Sequence, residues 1–157
     1  MNLPVWLLLL WTFMVALAGL GHAQSGVVYI HNVDELQAMK NDLYGDYVLA
    51  NDIDASATSS WNAGAGFEPV GNASSPSQGR LEGNGHTISG LSLNRTTAAN
   101  TGLFGVAQNA VIQNVAITGA AMQGGTESGG LAGKTIGCTV TRCTVSGSIQ
   151  GTYATGG

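Results

Sequence analysis

Charge is the scarcest commodity in this chain. Asp, Glu, Lys and Arg together make up 9% of the 157 residues, against roughly 25% in an average soluble domain. That excludes a coiled coil or a charged helical bundle, both of which draw on charged residues along their surfaces. Cations are the scarcer sign: five Lys and Arg stand against nine Asp and Glu, for a net charge of −4. With no basic stripe to neutralise a phosphate backbone, nucleic acid is excluded as a partner. Six of the nine acids, Asp34, Glu35, Asp42, Asp46, Asp52 and Asp54, fall within residues 34–54, so the rest of the chain must stay soluble through Ser, Thr, Asn and Gln. No His-Glu-x-x-His metal motif and no Gly-x-Ser-x-Gly elbow is present. What is abundant is glycine, with 24 residues, and a hydrophobic set of 44%. Together these point to β structure joined by small polar turns.

Residues 1–23 carry no charged side chain, and residues 5–20 are almost continuously apolar, short of a comfortable membrane span. Gly21-His22-Ala23 fits the small-x-small rule for signal peptidase, which predicts a signal peptide over 1–23, export, and a mature chain starting at Gln24. The n-region, Met1-Asn2-Leu3-Pro4, lacks the usual Lys or Arg, so an uncleaved anchor is the alternative. About 134 residues then remain, the size of one ordinary domain. In an oxidising compartment Cys138 and Cys143 become candidates for a disulfide. Five residues apart on an extended chain, they meet only if the chain bends sharply between them.

Self-similarity decides the fold class. An apolar-x-x-apolar-x-apolar pattern occurs at Ile88-Ser89-Gly90-Leu91-Ser92-Leu93, again at Ile112-Gln113-Asn114-Val115-Ala116-Ile117, and again at Val140-Thr141-Arg142-Cys143-Thr144-Val145, at offsets of 24 and 28 residues. Gly102-Leu103-Phe104-Gly105 recurs 28 residues later as Gly130-Leu131-Ala132-Gly133, and Gly119 matches Gly147. The alternation is that of strands. A β unit this short cannot bury its apolar side alone, but units stacked along an axis can, which makes the expected fold an all-β solenoid, a parallel β-helix. Ile88, Ile112 and Val140 are then expected in one interior column, Leu93, Ile117 and Val145 in another, and Leu91, Val115 and Cys143 in a third. Cys143 reads as a small buried hydrophobe, and the glycines as corner residues.

Upstream, residues 27–30 and 47–54 read as strands, 67–71 as another, and 55–66, small and polar around Trp61, as a loop leaving the coil. Asn32-Val33-Asp34-Glu35 reads as a capping box opening a helix through about Asp42, with Val33, Leu36, Met39 and Leu43 on one face. Laid over the first coil, this helix would cover an open core and an unpaired strand edge. The expected organisation is a leader over 1–23, a strand and capping helix over 24–46, and coils over 47–157. Gly156-Gly157 aligns with Gly129-Gly130 at an offset of 27, so the chain is expected to stop inside a repeat, leaving a coil open to self-association.

Residues 47–56 (YVLANDIDAS), 66–71 (GFEPVG), 82–91 (EGNGHTISGL), 102–105 (GLFG) and 129–133 (GGLAG), read in order, resemble the GLUG-repeat secreted and surface proteins related to filamentous haemagglutinin-type adhesins. The resemblance implies a right-handed parallel β-helix, export, and an adhesin or stalk role with a host or neighbouring-cell surface protein or glycan as partner. The chain departs from the family at residues 77–83 (SQGRLEG), where Ser77 and Leu81 stand in place of two aromatics.

Candidates for chemistry are few. Asp52 and Asp54 share a strand face at a separation compatible with paired-carboxylate hydrolysis, the basis of an alternative reading as a polysaccharide lyase or hydrolase. The plainer reading puts Ile53 inside and both acids in solvent, with Asp54 turning the chain. A calcium site from Asn51, Asp52, Asp54 and Asp46 is a further option, unsupported by a Ca-loop motif. His86 follows a Gly83-Asn84-Gly85 turn signal and has no evident carboxylate partner. Trp61, Phe67, Tyr44, Tyr47 and Tyr153 could form a stacking platform, although Phe67 and Tyr47 are expected inside and only Trp61 exposed. The expectation is of no catalytic residue, no metal and no cofactor.

Overall fold

The structure, a computed structural model, describes residues 26–152 and 155–156. The expected leader, Gln24, Tyr153 and Gly157 lie outside the described residues. Strands β1 (Val28–Ile30), β2 (Asp46–Leu49), β3 (Ile53–Asp54), β4 (Arg80–Glu82), β5 (Thr87–Ser89), β6 (Ser92–Arg95) and β7 (Phe104–Gln108) are followed by β8 (Val111–Gln113) and the long β9 (Ala116–Gly124). Then come β10 (Ser128–Gly129), β11 (Ala132–Ile136), β12 (Thr139–Thr141), β13 (Thr144–Gln150) and β14 (Thr155–Gly156). One short helix, α1 (Val33–Ala38), and two 3-10 segments, Met39–Asn41 and Ser56–Gly64, interrupt them.

All strand pairs among the described residues are parallel. One five-stranded sheet runs β1-β2-β4-β8-β12, and a second runs β13-β9-β5-β3 with β6 also paired to β9. Strands β7 and β11 make a third face, continued by a parallel bridge from Val70 to Phe104. Parallel register stacks like on like. Tyr47, Leu81, Ile112 and Val140 are successive partners in the first sheet, and Ile53, Ile88, Ile117 and Val145 in the second. The columns line one core in which Leu81, Ile88 and Ile117 are fully buried. Each such side chain contributes about 1.5–3 kcal/mol on burial.

The 28-residue offset between the second and third repeats holds at Ile112–Val140, Ile117–Val145 and Phe104–Ala132. The 24-residue offset does not. Ile88 stacks on Ile117 rather than Ile112, Leu93 stacks on Met122 rather than Ile117, and Leu91 lies level with Ala120 rather than Val115. A turn closed by His86 N donating to Gly83 O separates Leu81 from Ile88, so the first repeat is longer on this side than the two that follow. The one-residue loss in the third repeat is a bulge: Val145 faces Ile117, but Gly147 faces Ala120 and not Gly119. From there the offset is 27, which pairs Gly129 with Gly156.

Corners depend less on glycine than composition suggested. Asn109, Asn114, Glu127 and Arg142 all take φ between 52° and 55°. Asn and Asp tolerate the left-handed region best among side-chain-bearing residues, because a short polar side chain can bond locally. The glycines of the two Gly-Leu-x-Gly motifs answer a different need. A Cβ on Gly102 would strike the carbonyl of Gly129, on Gly105 that of Gly71, on Gly130 the side chain of Val145, and on Gly133 the backbone of Asn100. Between them Leu103, Phe104 and Leu131 are buried and Ala132 is half-buried.

The Asn32 side chain caps α1, accepting from Glu35 N at 2.9 Å. The Glu35 carboxylate reaches one residue further back than a capping box requires, accepting from His31 N at 2.8 Å. Leu36 and Met39 enter the core, with Val33 and Leu43 packed beside them. The helix ends at Ala38 rather than Asp42. Residues 39–41 tighten to 3-10 geometry, and Asp42 is extended, its carboxylate accepting from Tyr44 N. Strand β1 pairs with β2 and so belongs to the same sheet as the later layers.

The cysteines are free. Strand β12 keeps Cys138 and Cys143 at its two ends, where the thiols donate to Ile136 O and Thr141 O respectively. Both are half-buried rather than buried, as are Val145 and Ile149, and Val140 is 43% exposed, because no described strand pairs beyond β12 and β13.

Two contrasts test this account. Ile112→Ala is expected to lower unfolding free energy by about 3 kcal/mol, whereas Val140→Ala, in the same column, costs under about 1 kcal/mol. Denaturant titration measures both. A Cβ at Gly83 meets the backbone of Asn114 and Val115, while Gly85, at φ 80°, has open space around it. Gly83→Ala is therefore expected to cost about 3 kcal/mol and Gly85→Asn to stay within about 0.5 kcal/mol of the parent; equal losses would contradict the layered packing.

Candidate functional site

Two polar faces present themselves, and they differ in whether their side chains are already spoken for. On the first sheet, Glu82 follows Leu81 and points outward, 14% exposed. Its carboxylate accepts from Gln113 Nε2 at 2.5 Å, Asn114 Nδ2 at 2.7 Å, Asn84 N at 2.8 Å and Arg80 at 3.4 Å. Asn114 in turn accepts from Arg142 Nε. The chain of contacts crosses three layers because the parallel register puts Gln113 beside Glu82, and Arg142 stands one repeat beyond Asn114. Burial raises the carboxyl's proton affinity, but the four donors outweigh it and hold the group at about 2. Each oxygen of the Glu82 carboxylate accepts from two of these neighbours.

The second face is a groove of about 250 Å³ beside the Ser56–Gly64 segment, floored by β6, β9 and β13. Register gives it two outward rows, Ser92–Ala121–Ser148 and Asn94–Gln123–Gln150. Its wall is held rigidly: the buried Thr58 hydroxyl accepts from Ser92 N at 2.9 Å, Asn94 N donates to Ala65 O, and Phe67 N donates to Ser92 O. Among the described residues, the side chains of Ser92, Asn94, Gln123 and Ser148 make no hydrogen bond. No charged residue lines the groove.

The residues singled out as chemical candidates are dispersed. Ile53 is buried and both flanking acids are exposed. Asp54 accepts from Ser56 N at 2.9 Å, which lowers its proton affinity and turns the chain. Asp52 accepts from Thr87 N at 2.9 Å and lies 3.4 Å from His86 Nδ1. His86 therefore does have a carboxylate beside it, supplied by the preceding layer; a pair this exposed is worth about 0–1 kcal/mol. Asn51 donates to His31 O, and Asp46 sits in β2 opposite Arg80. Among the described residues no three His, Cys, Asp or Glu side chains gather as a metal site would require.

Phe67 is fully buried, and Tyr47 is buried with its hydroxyl donating to Asp42 O. Burial, with Asp42 nearby, raises the proton affinity of that phenol. Trp61, expected in solvent, is half-buried against the core, whereas Tyr44 is exposed, 56% accessible, and accepts from Gln78. Of these four rings, Phe67 and Tyr47 face the core and only Trp61 and Tyr44 reach the surface. Ser77 is buried, close to Tyr47, Leu81, Phe104 and Ile112, with no room between them for a water molecule. Among the described residues no helix is long and apolar enough to cross a membrane.

Compared with known proteins, the chain is 42% identical over 136 residues to halomucin of Haloquadratum walsbyi, an alignment covering 82% of this chain and 2% of halomucin. Over 60 residues it is 40% identical to a protein named as a Gly-rich membrane protein of Evansella cellulosilytica, covering 38% of this chain and 7% of that protein. The chain thus spans a small fraction of either relative's length. No protein-family model and no solved structure matches it.

The Glu82 network carries a pH signature. A carboxyl held at about 2 when folded, against 4.5 ordinarily, stabilises the fold fully above its ordinary range, and the contribution is lost as pH falls toward 2. Glu35 and Asp54, also lowered, act with the same sign. Glu82→Gln turns an acceptor toward donors and is expected to cost about 1–3 kcal/mol at neutral pH. It should also flatten the stability profile between pH 4.5 and 2, read from thermal melts across that range.

Proposed function

We propose that the chain is a noncatalytic, exported segment of a cell-surface adhesin, built as a right-handed parallel β-helix of the GLUG-repeat type. The observation that carries this reading is the single core lined by in-register parallel columns, repeated at offsets of 27 to 31 residues over the last two intervals. Such a stack extends by adding layers and suits a stalk. The apolar leader over 1–23 supports export, and the names of the two relatives, a halomucin and a membrane protein, support a surface or membrane-associated location. The partner is a surface protein or glycan of a host or neighbouring cell. No cofactor is required, and Asp52 and Asp54 act as turn and loop acceptors rather than as an acid and a base.

Beads coated with the chain are expected to attach to cells in a flow assay, and Asp52→Asn/Asp54→Asn to attach equally well. Neither protein should depolymerise any member of a polysaccharide panel. Turnover by the parent that disappears in the double variant would replace the adhesin with a polysaccharide lyase or hydrolase.

A further inference from the structure

We infer that the groove between the Ser56–Gly64 segment and the β6-β9-β13 floor is a binding site for an extended, uncharged oligosaccharide. This deepens the attachment reading and rests on it for the site's biological use. The hydrogen-bonding groups offered are amides and hydroxyls, from Ser92, Asn94, Gln123 and Ser148, with Gln150 continuing the amide row. None of the four lining side chains is engaged with another described residue, in contrast to the Glu82 carboxylate, whose oxygens are filled from within. Amides that present a donor and an acceptor side by side suit the vicinal hydroxyls of a sugar.

Charge narrows the ligand. With no charged lining residue, nothing in the groove would compensate the desolvation of an anionic or cationic ligand. Arg95, which follows Asn94 in β6, is not among the lining residues and donates through Nε to Phe67 O. Strand addition by a peptide needs an open sheet edge; β9, the floor's central strand, is paired on both sides and offers none, and a peptide pairing with the open edge of β13 would lie beside the floor rather than across it. The spacing of the floor fits a polymer. Asn94, Gln123 and Gln150 recur once per layer, about 4.8 Å apart, close to the length of a pyranose unit, so successive sugars meet successive amides. The wall is fixed by Thr58, Ala65 and Phe67 before any ligand arrives, which limits the ordering entropy of binding.

The test is a titration of the isotope-labelled chain with maltohexaose, cellohexaose and chitohexaose as neutral probes and hexagalacturonate as an anionic one. The side-chain amide resonances of Asn94 and Gln123 are expected to shift saturably with at least one neutral probe and not with hexagalacturonate. Asn94→Ala/Gln123→Ala, both exposed positions, should weaken that binding at least tenfold with an unchanged melting temperature. Absence of a saturable shift with all three neutral probes, a response to hexagalacturonate alone, or undiminished binding by the double variant would overturn the inference. Sugar binding without attachment of coated beads would sink the adhesin reading alone, and attachment that persists in the double variant would sink the groove alone.

Discussion

Everything in this molecule depends on parallel register. When a strand pairs with its equivalent one repeat earlier, each side chain is set above its own counterpart, about 4.8 Å away. An inward position must then be apolar in every layer, or a polar group would be buried without a partner. Tyr47, Leu81, Ile112 and Val140 obey this in one sheet, and Ile53, Ile88, Ile117 and Val145 in the other. The same constraint acts on the outside with the opposite result. Outward neighbours are also superposed, so a carboxylate such as Glu82 finds Gln113 and Asn114 brought to it by the register of the core.

How much of this could be read from the residues alone follows from how local each signal is. The second and third repeats were legible because Ile112–Ile117 and Val140–Val145 keep the same spacing with nothing inserted. The first repeat misled because Ile88-Ser89-Gly90-Leu91-Ser92-Leu93 fits the hexapeptide pattern by itself, while its true counterpart is split between Leu81 and Ile88 by a turn. Pattern matching favours the unbroken copy; hydrogen bonding between layers chose the broken one. Corners at Asn109 and Asn114 leave little trace in the sequence, because asparagine is common outside left-handed backbone and marks it less sharply than glycine. The approach of Asp52 to His86 has no local trace, since it exists only once Ile53 and Ile88 have been paired. Nor does the groove: its amides and hydroxyls are ordinary residues in sequence, and become a set only through the pairing of β6, β9 and β13.

The two polar faces show how one architecture can serve two ends. The Glu82 carboxylate is closed in by its neighbours, so its oxygens stabilise the stack and have little left to offer a partner. The groove is shaped by a wall of several backbone hydrogen bonds, yet its side chains are unengaged among the described residues. Rigid backbone with uncommitted side chains is the condition under which a surface can bind at small entropic cost.

The bulge in β13 has a consequence for how such arrays change over generations. Opposite Ser146 the neighbouring layer carries both Thr118 and Gly119, and beyond that point Ile149 still lands on Met122. A gained or lost residue is thus absorbed at the bend, leaving the interior columns undisturbed, much as a stair can vary its landings while keeping every tread above the last. Copies of the unit are therefore free to diverge in length, and the array can accept insertions or deletions that would scramble an ordinary globular core.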